Sequence, residues 1–106
     1  MLPELRHVVE DYERLWDVAG FAEHFAADLV RPSRPHAADD PYRAVLIEHR
    51  RRLVGALRRA QQRGELAAGR DVGELADALV GFYLGRRLVR RPCDGWAQAA
   101  IATVID

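Results

Sequence analysis

The chain has 106 residues, with 16 basic and 16 acidic side chains that cancel, and 49% of it is hydrophobic. That is enough chain for one ordinary domain with a real core and little to spare, and too apolar for a disordered segment. Balanced charge excludes a global field steering the protein to nucleic acid or anionic lipid. The single Cys93 excludes an internal disulfide and a cysteine-based zinc site.

Every basic residue is arginine and alanine is abundant, the codon bias of a GC-rich bacterial genome. The N-terminus lacks the apolar core of a signal peptide, and no apolar run approaches membrane-spanning length. The expected address is the cytoplasm, with no membrane partner.

Taken in chain order, Leu5, Val8, Val9, Tyr12, Leu15, Trp16 and Ala19 keep the spacing of an amphipathic helix, with Pro3 tolerated at its start. Gly20 ends or bends it. Phe21, Ala22, Phe25, Ala26 and Leu29 predict a shorter second helix. Residues 31–41 hold three of the five prolines and no periodicity, which predicts a mobile loop.

Asp40 followed by Pro41 is a good helix start. From there Tyr42, Leu46, His49, Leu53, Leu57 and Ala60 form one stripe. Arg50, Arg51, Arg52, Arg58 and Arg59 spread round the rest of the circumference, the pattern of a solvated face rather than a nucleic-acid strip. Arg63 and Gly64 end this helix, a cation at the negative dipole end and then a residue free to turn left-handed.

Asp71 is placed to cap the next helix, with Glu74 in capping-box position. Val72, Leu75, Ala76, Leu79 and Tyr83 make its first apolar face. Leu84 and Leu88 lie on another side, beside Ala78, Gly81 and Gly85, and Pro92 stops it. Asp94 is placed to cap a last helix carrying Trp96, Ala97, Ala100, Ile101 and Val104. No strand-like alternation of useful length occurs. The expected fold is all-α, a single domain over 1–106 of about five helices in an antiparallel bundle.

Gly81 and Gly85 are the least neutral residues, each costing roughly 1 kcal/mol relative to alanine in a helix interior. Four residues apart, they leave a bare strip for close helix approach. Internal packing on the last helix is the plain explanation. An interface between two copies is the sharper one, because Leu84 and Leu88 widen the strip beyond what one small chain covers easily. The expected homodimer surface comprises Ala78, Gly81, Phe82, Leu84, Gly85, Leu88, Trp96 and Ile101.

Chemistry-bearing residues are sparse. His7, His24, His36 and His49 show no metal-ligand spacing, so neither a metal nor a cofactor is expected. Ser33 and Thr103 stand alone without a motif, no glycine-rich phosphate loop is present, and an enzyme is not expected. His49 in an apolar stripe reads either as a hydrogen-bonded core histidine or as the polar anchor of a ligand pocket. A pocket for a small apolar effector would be lined by Trp16, Phe25, Tyr42, His49 and Leu53, with the 31–41 loop as its gate. Ordinary core filling explains the same aromatics equally well.

Across Arg63-Gly64-Glu65-Leu66, Asp71 and Leu79-Val80-Gly81-Phe82-Tyr83-Leu84-Gly85-Arg86-Arg87-Leu88-Val89 the chain resembles the C-terminal domain of TetR-family transcriptional regulators. Gly81, Arg86 and Leu88 fall on that family's pattern, whereas Leu84 and Gly85 stand where it often has aromatics. The resemblance implies a ligand-sensing and dimerisation domain, pairing through its last two helices in a four-helix bundle across a two-fold axis. It also implies a separate N-terminal helix-turn-helix domain that reads DNA. No such unit precedes residue 4, so this chain is expected not to bind DNA alone and to be a fragment, a truncated product or a stand-alone sensor. The alternative is a stand-alone helical protein–protein interaction module, and a small helical enzyme comes third.

Overall fold

Leu5, Val8, Val9 and Tyr12 recur at three- and four-residue steps, and all four are buried along one side of α1 (Pro3–Trp16). A computed structural model describes residues 2–18, 21–22 and 41–105, and among them the structure is entirely helical apart from turns. Pro3 opens α1 as expected. The expected helix over residues 21–29 and the 31–41 loop lie outside the described residues, except that Phe21 and Ala22 are helical and Pro41 begins the next helix.

That helix, α2 (Pro41–Gln62), buries His49, Leu53, Ala56, Leu57 and Ala60. The expected stripe is therefore the inner face. Gly64 takes the left-handed conformation, φ +77°. Glu65 N–H donates to the Ala60 carbonyl at 2.9 Å and Gly64 N–H to that of Gln61 at 3.0 Å, the paired bonds of a glycine-closed helix end. Leu66, just beyond, is buried. The Arg63-Gly64-Glu65-Leu66 run is thus a helix stop that folds an apolar side chain back onto the core.

Asp71 caps α3 (Val72–Leu88), its carboxylate accepting from Gly73 N–H at 2.9 Å and Glu74 N–H at 3.2 Å. Such a cap contributes about 1 kcal/mol. The reciprocal half of the box is not made: the Glu74 side chain has no partner among the described residues. The last helix, α4 (Trp96–Val104), is not capped by Asp94. Gly95, at φ +68°, is its N-cap with no side-chain cap. The left-handed turn at Gly95 starts the helix one residue later than the sequence suggested, leaving Asp94 too early to reach the first amides.

Helices of 14 and 9 residues, the lengths of α1 and α4, do not hold in water alone, so packing supplies their stability. α1 packs on α2, α3 and α4; α3 also packs on α2 and α4. The shared core joins Leu5, Val9 and Tyr12 to Leu53, Leu57, Leu79, Tyr83 and Trp96. Each such aliphatic side chain contributes about 1.5–3 kcal/mol on burial.

Candidate functional site

Two regions answer to the sequence-derived expectations: the aromatic centre around His49 and the outer face of α3. At the centre, aromatic rings pack on one another in a continuous chain. Tyr42 meets Phe21 at 5.6 Å between centroids, Phe21 meets Trp16 at 5.1 Å, and Trp16 meets Tyr12 at 6.2 Å, all edge to face. Tyr12 then touches His49 at 5.2 Å and Tyr83 at 5.6 Å, and Tyr83 touches Trp96 at 4.8 Å. These are attractive geometries for rings in a packed core.

His49 is buried, and its Nε2 lies 2.8 Å from the Val8 carbonyl oxygen. A carbonyl only accepts, so Nε2 carries the proton and donates. Burial pushes the His49 pKa below its ordinary value, although the Val8 bond and Asp11 act the other way. His49 is therefore a neutral clasp between α2 and α1, as in the core reading. Of the five expected pocket residues, Leu53 and His49 are buried, Trp16 and Tyr42 are half-buried in the ring chain, and Phe25 lies outside the described residues.

A separate open groove of about 300 Å³ runs between α1 and the start of α4. Its walls include Arg6, Glu10, Glu13, Arg14 and Asp17. Mixed charge of this kind does not suit an apolar molecule.

The arginines of α2 do more than face solvent, which periodicity alone did not show. Arg59 and Arg63 both pair with Glu4 on α1, Arg52 with Asp11 at 2.9 Å, and Arg50 with Asp77 on α3 at 3.1 Å. The Arg59 hydrogen bond leads in holding the Glu4 carboxyl below the usual carboxylate range. Exposed pairs of this sort are worth at most about 1 kcal/mol each, so they align α2 more than they stabilise it. Arg70 donates to the Val104 carbonyl at 2.8 Å and to that of Ile105 at 3.2 Å, satisfying the end of α4.

The outer face of α3 is different in kind. Ala78, Gly81, Gly85 and Leu88 are exposed, and Leu88 and Val89 are 68% and 66% accessible. A Cβ placed on Gly81 or Gly85 would meet nothing within 4 Å. Among the described residues, internal packing therefore does not explain the two glycines. Phe82, Leu84 and Ile101 are half-buried at the edges of the face, and Arg86 lies 4.7 Å over the Phe82 ring.

Trp96, expected on the shared surface, is a correction. It is 2% exposed, stacks on Tyr83 and donates its indole N–H to Glu13 at 3.1 Å. The beginning of α4 turns inward because Trp96 has an acceptor waiting on α1. Among the described residues, no group of His, Cys, Asp and Glu is placed to hold a metal ion, and no helix is long and apolar enough to cross a membrane.

No curated protein and no solved structure matches the chain significantly. The family profile described as "Tetracyclin repressor-like, C-terminal domain" matches residues 4–104, a span that takes in the four described helices almost from end to end. The chain belongs to that family, the C-terminal domains of TetR-type transcription regulators.

Proposed function

We propose that this domain is the dimerisation half of a bacterial TetR-type regulator and that its dimer surface is the outer face of α3, with Ala78, Gly81, Gly85 and Leu88 at its centre and Phe82, Leu84 and Ile101 at its edge. The observation that carries the reading is the open space over Gly81 and Gly85. Two costly glycines with no neighbour among the described residues are accounted for by a helix approaching from a second copy. DNA recognition would then belong to a helix-turn-helix domain, and we propose that this domain does not read a DNA groove by itself.

The test is Gly85→Leu. A Cβ at this position meets nothing within 4 Å among the described residues, so the fold should keep its helical circular dichroism while gel filtration shows a monomer. A Gly85→Leu protein that still elutes as a wild-type-like dimer would exclude this face. Dimerisation only with a different protein would favour the stand-alone interaction module.

Effector sensing is supported by family membership, and we place it at Trp16, Phe25, Tyr42, His49 and Leu53. A small apolar ligand would enter by parting the ring chain between Trp16, Phe21 and Tyr42, with His49 staying bonded to Val8. Saturable quenching of tryptophan fluorescence by an apolar compound is the expected result. No such response across a panel of apolar compounds would leave dimerisation as the sole role.

A further inference from the structure

The core stripe of α3 steps by four from Leu75 to Leu79 to Tyr83, all buried. The next position is Arg87, a cation where that spacing calls for another apolar side chain. Its guanidinium lies 5.5 Å from the centre of the Trp16 ring and 6.0 Å from that of Tyr83, within reach of a cation–π attraction. One N–H of its Nη1 donates to the Tyr83 hydroxyl at 2.9 Å. Burial leads in raising the Tyr83 pKa above its ordinary value of 10.0, although Arg87 pulls the other way. The accepting hydroxyl is therefore a neutral phenol and leaves the charge of Arg87 uncompensated.

No carboxylate compensates it either. Arg50, Arg52, Arg59 and Arg63 each pair with an acidic side chain of α1 or α3, whereas Arg87 has no such partner among the described residues. Glu13, whose charge is felt at Tyr83, is taken by the Trp96 indole N–H. The position of the unspent charge is specific. Arg87 stands over the same half-buried Trp16 ring that meets Phe21, and Phe21 in turn meets Tyr42. An apolar molecule that parts these rings comes to rest beside a guanidinium with most of its N–H groups still free to donate.

We infer that the effector is an apolar molecule with a single anionic head of the carboxylate kind, the head pairing with Arg87 while the body lies against Trp16, Phe21 and Tyr42. The inference rests on the effector-site reading above and adds the charge of the ligand to it. A planar guanidinium fork matches a carboxylate with two parallel hydrogen bonds. The aromatic wall keeps water from one side of that pair and so strengthens it. A cationic head would be repelled at the same place.

The test is tryptophan quenching at pH 7.5, where a carboxylate is ionised, by two matched pairs of probes. These are decanoate against decanol and phenylbutyrate against phenylbutanol, each below micelle-forming concentration. In both pairs the carboxylate should bind about tenfold tighter than the alcohol. Arg87→Gln, at an exposed position, should keep the helical circular dichroism, abolish that preference and leave alcohol binding within about twofold of wild type. Arg87→Lys keeps the charge without the fork and should retain part of the preference. Saturable binding of both members of each pair with equal strength would overturn the inference while leaving the site in place, as would an equal loss for both in Arg87→Gln. No saturable response to any of the probes would remove the effector-site reading and the inference with it.

Discussion

His49 shows how one residue decides between two functions. Its Nε2 donates to Val8 from a position 41 residues further along the chain, so the partner was invisible to any local pattern. Burial lowers its pKa from the ordinary value of 6.5. Arg52 pushes the same way, the Val8 bond and Asp11 push back, and the Tyr12 ring covers one side. The folded state thus binds this proton less readily than the unfolded chain. Its contribution to stability is present above pH 6.5 and is lost as pH falls through the lowered value. Thermal melts from pH 7.5 down to 5 should show the melting temperature dropping, and His49→Gln should flatten that drop while keeping a donor for Val8. An identical pH profile in His49→Gln would contradict the buried, neutral assignment. The same limit applied to Trp96: its acceptor on α1 is far away in sequence, and nothing in its own helix announced that it points inward. Gly64, by contrast, was legible because a helix stop is a local matter of one backbone conformation.

At the scale of elements, periodicity located α1, α2 and α3 well, because each has one stripe that the core claims. It misplaced the start of α4, where a left-handed glycine rather than the nearby aspartate sets the first turn. It also described α3 as apolar on several sides without saying which side the chain itself covers. The structure resolves that: Leu75, Ala76, Leu79 and Tyr83 go inward, and the glycine side meets none of the other described residues. A substitution separates what this helix does for folding from what it does for association. Gly81→Ala has free space for its methyl group and should stabilise the isolated chain by about 1 kcal/mol through helix propensity. Urea unfolding at concentrations below dimer dissociation measures that gain, and the same change should weaken the dimer in sedimentation. Absence of any gain in the monomer would show that the glycine answers to a constraint within the chain.

At the scale of the molecule, the four described helices close around one aromatic and aliphatic core, and exposed apolar side chains remain at Leu88 and Val89 at the end of α3 as well as at Val18, Val45 and Ile47. Family membership makes this a domain of a TetR-type transcription regulator, and the exposed glycine face is the surface proposed for association. The arginine-rich α2, which in sequence invited a nucleic-acid reading, is engaged with Glu4, Asp11 and Asp77 of its own chain. Charge on that helix is therefore employed in holding helices together. Two copies are expected to meet through the glycine face of α3. Sedimentation equilibrium of the wild-type chain at micromolar concentration should therefore show a species of twice the 12.0 kDa chain mass, and a single 12.0 kDa species across that range would exclude the dimer.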